Sequence, residues 1–300
     1  MHDAAQNTAG DWKEYSGNPI LAPGNRSEWD QWAVMSMTAV KMRESFHLYY
    51  EGGATGCGDL RIGHATSRDG LHWTKDPANP VLDKGKPGEW DDEATWDPFV
   101  IFEDGIFKMW YGGQSVGGGK LAGYQCGYAT SRDGVHFVKH GKISNFAHGE
   151  MADMHVVHDR KSGRYFMYYW DRNFKLPQKL RLARSPNETD FDFDRSLSVS
   201  IEGEVPGHRY THVWQEGDKW YMLYGFENKG RTGYATSPNG LHWAAENKNL
   251  ISTEDAEMLK VAPGRYFLFY CPAGFQDKAG CDIRLAIYNG RLDDLTGQRK

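Results

Sequence analysis

Between Thr95 and Gly113, β-branched and aromatic residues fill two short arms that meet at Asp104-Gly105. An Asp-Gly pair between such arms predicts a β-hairpin, because glycine accepts the positive φ of a tight turn. Related hairpins are predicted around Glu44-Ser45, Ser162-Gly163, Gly217-Asp218 and Pro263-Gly264. Each turn is followed by an apolar, mostly aromatic strand: Leu48-Tyr49-Tyr50, Met109-Trp110-Tyr111, Met167-Tyr168-Tyr169, Met222-Leu223-Tyr224 and Leu268-Phe269-Tyr270. No stretch of useful length carries the periodicity of an amphipathic helix.

A second recurring element sets the period. Ala65-Thr66-Ser67-Arg68-Asp69-Gly70-Leu71-His72-Trp73 returns at Ala129–Phe137 and again at Ala235–Trp243, with degenerate copies beginning at Ala183 and Ala286. The five alanines are spaced by about 64, 54, 52 and 51 residues, a range that fits propeller blades. Each unit reads as strand, turn, aromatic strand, loop, strand, Asp/Asn-Gly turn and outer strand. The prediction is all-β: one five-bladed β-propeller of four-stranded blades spanning residues 1–300, with 1–14 as a short extension. The Ser-x-Asp-Gly-x-x-Trp unit is architectural, since Ser and Asp can bond turn amides while the Trp packs on a neighbouring blade. Asp69 and Asp133 are therefore not catalytic candidates.

Composition narrows the function. Of 300 residues 14% are aromatic, which stacked sheets or a sugar-binding surface would explain. The net charge of −5 lacks the basic stripe of a nucleic-acid binder. No apolar run approaches the roughly 18 residues of a membrane span. Residues Met1–Gln6 do not resemble a signal peptide, so a cytoplasmic location is expected. Cys57, Cys126, Cys271 and Cys281 show no metal-type spacing and read as reduced thiols, Cys271–Cys281 being the pair to check. Nothing in the chain sets an oligomeric state.

Propeller sites form where innermost strands begin and second strands end, around one funnel. Glu28-Trp29-Asp30 echoes Glu89-Trp90-Asp91, which registers Ser36 in the first blade with Asp97 in the second. The funnel rim then gathers Asp97, Glu150, Asp153, Asp171, Glu227, Asp255 and Glu257. Acetal hydrolysis needs two carboxyl groups, one protonated and one ionised, and crowding in a partly buried funnel separates their pKa values. Asp97, Asp153 and Glu257 are the catalytic candidates, with Asp255 the nearest substitute for Glu257. Which of the rim acids gives the proton stays open. Trp32, Trp96 and Trp170 are candidate stacking platforms at the mouth. His155, Arg209, His212 and Glu227 are candidate substrate contacts. The histidine spacing matches no dedicated metal motif, so no metal site is expected. No organic cofactor is expected either, although the channel leaves room for a cation such as calcium.

The pattern Asn-Pro-Ile-Leu, Trp-Asp, Trp-Asp-Pro, Met-Trp-Tyr-Gly-Gly and Gly-Tyr-Ala-Thr-Ser-Arg-Asp-Gly-Val-His-Phe, over residues 15–295, resembles the five-bladed propeller glycosidases. That superfamily includes arabinanases, β-xylosidases, invertase-like fructosidases and mannoside phosphorylases. The resemblance implies a glycoside hydrolase acting on a small carbohydrate through acids on different inner strands, and Asp97 matches one such position by its Asp-Pro context. The chain departs from the arabinanase and xylosidase pattern at Ser36, where those enzymes carry the base. Two further readings remain. Arg209 beside His208 and His212 could hold phosphate, as in the phosphorylases, or the propeller could bind sugar without turnover.

Overall fold

The computed structural model describes residues 12–115, 124–143, 150–172, 179–202, 211–225, 232–251, 253–272 and 279–295. Strand β1 (Lys13–Glu14) opens the described chain. The first blade holds β2 (Ala33–Lys41), β3 (Phe46–Gly53), β4 (Leu60–Ser67) and β5 (Thr74–Lys75). The second holds β6 (Ala94–Glu103), β7 (Ile106–Gln114), β8 (Gln125–Ser131) and β9 (Val138–Lys142). The third holds β10 (Glu150–Asp159), β11 (Arg164–Arg172), β12 (Lys179–Ser185) and β13 (Leu197–Ser198). Strand β14 (Ser200–Glu202) crosses over to pair in parallel with the outer strand of the fourth blade. That blade comprises β15 (Thr211–Glu216), β16 (Lys219–Gly225), β17 (Thr232–Ser237) and β18 (His242–Ile251), so its sheet has five strands where four were expected. The fifth holds β19 (Thr253–Ala262), β20 (Arg265–Pro272) and β21 (Arg284–Asn289).

The fifth blade takes its outer strand from the other end of the chain. Lys13 pairs with Ile287 and Glu14 with Ala286, and the Tyr270 hydroxyl donates to Glu14 at 3.0 Å. The last two residues of the segment set aside as an extension are therefore part of a blade. Among the described residues no helix is long and apolar enough to cross a membrane.

The repeated turn works as the sequence suggests. Ser67 Oγ accepts the Gly70 amide at 2.8 Å, and Asp69 Oδ1 accepts those of Leu71 and His72 at 2.8 and 2.9 Å. Asp133 and Asn239 repeat these bonds. The ring that follows reaches across to the preceding blade. Trp73 meets Phe269 edge-on at 5.9 Å, Phe137 meets Tyr49 at 5.7 Å, and Trp243 meets Tyr168 at 6.2 Å. Hydroxyls of Tyr49 and Tyr168 then donate to the Gly134 and Gly240 carbonyls. Fully burying one such ring contributes roughly 1.5–3 kcal/mol, so blade-to-blade packing is a major term in stability.

The Trp-Asp echo is structural too. Buried Asp30 accepts from Tyr50 at 3.0 Å and Lys75 at 2.6 Å, tying the second strand to the outer one. Asp91 does the same for Tyr111 and Lys139 at 3.1 and 2.7 Å. Cys126, Cys271 and Cys281 are buried free thiols, as expected.

Unfolding of Asp69→Ala in urea should show a loss of about 1 kcal/mol or more, since two turn amides lose their acceptor. A variant as stable as the parent would mean that Ser67 and Gly70 suffice to hold the turn.

Candidate active site

Four inner strands each carry one extra residue at the same level. The pairing jumps from Met35/Glu51 to Met37/Tyr50, from Trp96/Gly112 to Phe99/Trp110, from Ala152/Trp170 to His155/Tyr168, and from Glu254/Cys271 to Ala256/Tyr270. Ser36, Asp97, Asp153 and Asp255 occupy these bulges with φ of 40°, 43°, 51° and 47°. A left-handed residue in a strand costs of order 1–3 kcal/mol, and Asp is among the side chains that tolerate it. Such a bulge re-aims the side chain, here into the channel. The registration of Ser36 with Asp97 inferred from the Trp-Asp echo is met. The corresponding level of the fourth blade lies outside the described residues.

A second tier sits two residues further along. Thr38, Phe99, His155, His212 and Glu257 each face the middle residue of an apolar triplet: Tyr49, Trp110, Tyr168, Leu223 and Phe269 respectively. Both tiers line one cavity of about 50 Å³. Phe99, His155, His212 and Glu257 also line a wider cavity of about 560 Å³ that continues towards the opposite face. Asp97, Asp153, Glu257, His155 and His212 are thus brought together. Arg209 and Glu227 lie outside the described residues.

The acids stand at two levels. Asp255, ranked from sequence as a substitute, stands at the bulge level of Asp97 and Asp153, whereas Glu257 lies one tier deeper. Both line the cavity. The indoles lie elsewhere. Trp170 is fully buried and donates to Thr211 Oγ1 at 3.0 Å. Trp96 is 7% exposed and packs edge-on to Tyr124 at 4.4 Å. It also lies over Gly112, where an added Cβ would come within 2.1 Å of its Nε1. Trp32 is half-buried against the first-blade core. None of the three is among the residues lining the two cavities; burial removes Trp96 and Trp170 from a stacking role, while Trp32 keeps part of its surface exposed.

Sequence reasoning missed Glu51, at the end of β3. Its Oε2 accepts the Asp97 amide at 3.0 Å, as Asp97 Oδ2 accepts the Asp153 amide at 3.2 Å. Asp255 is held in the same way by the Ser36 hydroxyl and amide. The amides of the Ser36, Asp97 and Asp153 bulges therefore each meet an acid of the preceding blade, and Glu51 acts where Ser36 has no carboxylate. That gap at Ser36 was the available signal.

Burial, reinforced by the charges of Asp97 and Asp153, pushes the Asp255 carboxyl well above the usual range. Burial and the neighbouring Asp97 do the same to Glu51. Glu257 is raised by burial to about 8, against the pull of the Ala39 amide, which donates to its Oε1 at 2.6 Å. Burial lowers His155 well below its ordinary value, with His212 adding to the effect. Burial lowers His212 to about 3, only the Met258 backbone opposing it. Burial thus favours the neutral form of Asp255, Glu51, Glu257 and both imidazoles.

No protein-family model matches the chain. It is 24% identical over 240 residues to a sucrose-6-phosphate hydrolase of Escherichia coli, covering 77% of this chain. The chain spans only 49% of that relative. It is 27% identical over 165 residues to a 1,2-beta-oligomannan phosphorylase of Thermoanaerobacter sp. strain X514, covering 52% of each. Among solved structures, a family 117 glycoside hydrolase from Zobellia galactanivorans superposes with a TM-score of 0.72 at 11% identity, covering 96% of this chain and 91% of that one. These likenesses agree with the resemblance read from sequence: the chain has the five-bladed propeller of carbohydrate-active enzymes.

Glu51 gives a test of this electrostatic picture. Its folded pKa is raised, so its contribution to stability is present below the ordinary carboxyl value and is lost as pH rises through the folded one. Glu51→Gln keeps an acceptor for the Asp97 amide without the charge. Its unfolding free energy should fall less than the parent's between pH 5 and 8, by up to about 1.4 kcal/mol per pH unit. Parallel pH profiles would show that Glu51 is ionised in the fold.

Proposed function

We propose that the protein is a glycosidase that cleaves the O-glycosyl bond of a small carbohydrate at the bulge-level acids. The observation that carries this reading is the convergence of Asp97, Asp153 and Asp255, at one level of three blades, on a single cavity. Two carboxyl groups of opposite protonation state are what glycoside cleavage requires. Asp255, pushed up by burial and by its two neighbours, is suited to hold a proton at neutral pH.

In the proposed reaction Asp255 gives its proton to the glycosidic oxygen as the bond to the anomeric carbon breaks. Asp97 acts as the ionised carboxylate, either taking a proton from attacking water or bonding to the anomeric carbon itself. The first course inverts the anomeric centre and the second retains it. Asp153 donates its amide to Asp97 and is assigned to positioning and to raising Asp255.

Hydrolysis of a panel of fructosides, xylosides, arabinosides and mannosides, followed by NMR of the nascent product, tests the reading. Asp97→Asn should lower kcat by at least about 100-fold with little change in unfolding. Asp255→Asn should be slow on alkyl glycosides but much less impaired on dinitrophenyl glycosides, whose leaving group needs no proton. Near-parental turnover by Asp97→Asn would overturn the assignment. Release of sugar phosphate that depends on added phosphate would identify a phosphorylase, as one relative is named. Sugar binding without turnover would identify a non-catalytic propeller.

A further inference from the structure

One tier beneath the aspartates, where the two cavities join, three side chains from consecutive blades face one another. Ligand-type atoms of His155, His212 and Glu257 all lie within 4.8 Å of one another, and His212 Nδ1 is 3.8 Å from Glu257 Oε2. All three residues are over nine-tenths buried, at 7%, 7% and 6% exposure. Among the described residues, His155 Nε2 and both nitrogens of His212 have no hydrogen-bond partner of ordinary geometry, although the Met258 backbone approaches the His212 ring. Leaving a buried polar group unsatisfied costs about 1–3 kcal/mol, so under-satisfied nitrogens on two facing rings need a reason.

We propose that His155, His212 and Glu257 form a binding site for a divalent first-row transition metal, zinc being the first to test.

The donor set supports this class of ion. Two imidazoles and one carboxylate suit zinc and its neighbours, whereas calcium takes six to eight oxygen ligands. Zinc bonds of about 2.1 Å in tetrahedral array place ligand atoms about 3.4 Å apart. The 3.8 Å gap and those up to 4.8 Å need only small side-chain rotations to close on an ion. Backbone contacts to the rings would weaken, that of Met258 to His212 among them. The Val213 amide donates to His155 Nδ1 at 3.4 Å, too long to weigh much against ligation. Three protein ligands leave a coordination position open, as in catalytic zinc sites. A dication at this depth would lie beneath Asp97, Asp153 and Asp255 and oppose their mutual repulsion.

The experiment needs no substrate, so its outcome is separate from that of the glycosidase reading. The purified full chain is stripped with chelator, dialysed, and titrated with zinc, cobalt(II) and calcium under calorimetric and optical detection. One equivalent of zinc or cobalt should bind in preference to calcium, with cobalt showing the visible absorption of a low-symmetry nitrogen-oxygen site. His212→Ala and Glu257→Gln should weaken that binding by at least about tenfold, while Asp97→Asn keeps it. Failure of the parent chain to take up one equivalent of either metal would overturn the proposal, whatever the variants do. So would a preference for calcium, or unchanged affinity in folded variants at both positions.

Discussion

A strand lining a channel presents side chains alternately inward and sideways. An inserted left-handed residue adds one more inward-aimed side chain to that alternation. Four blades spend it at the same height, and in three the inserted residue is Asp. The conformational cost is offset locally at three of them, because the amides of Asp97, Asp153 and Ser36 are taken by Glu51, Asp97 and Asp255. Cost and compensation are carried by the same side chains, which couples the shape of the site to its charge.

The tier below joins the inner strands in a closed circuit. The Thr38 hydroxyl donates to the Pro98 carbonyl at 2.6 Å, and Phe99 leans on His155 with ring centres 3.8 Å apart. His155 accepts from Val213, His212 approaches Glu257, and Glu257 accepts from Ala39. Each blade thus touches the next near the axis, while the turn-borne aromatic rings do so farther out. The acids stand on a frame fixed at two radii, and rigid elements of that kind suit a site that must hold charges apart.

The repeat made the fold legible. Turn chemistry, aromatic strands and a period near fifty residues each point to the same blade, and the Trp-Asp echo even set the register of Ser36 with Asp97. Asp97 was visible through its proline and Asp153 through its place at a strand start. The different levels of Asp255 and Glu257 were not legible, because a single inserted residue brings both to the channel and leaves no mark in composition. The indoles misled for a different reason. A tryptophan beside a strand end serves interblade packing as well as it serves a sugar face, and only burial separates the two uses. Neighbourhood across blades, as between His155 and His212, is likewise invisible to a reading along one chain.

The pairing of Lys13 and Glu14 with β21 has a consequence for how the molecule comes into being. The fifth blade draws on both distant parts of the sequence, separated by more than 250 residues at Tyr270–Glu14. On a ribosome, the first blades can assemble from local hairpins as they emerge, but this blade cannot be completed until β21 has been synthesised. Its opening strand must wait, unpaired, until the intervening blades have been made. Closure of the circle is then a late event of high contact order, and the β1–β21 seam lies at the outer edge of the blade whose innermost strand carries Asp255. Asp255 meets Ser36 only when the fifth blade docks on the first, so an unfinished chain carries the site's parts without its geometry.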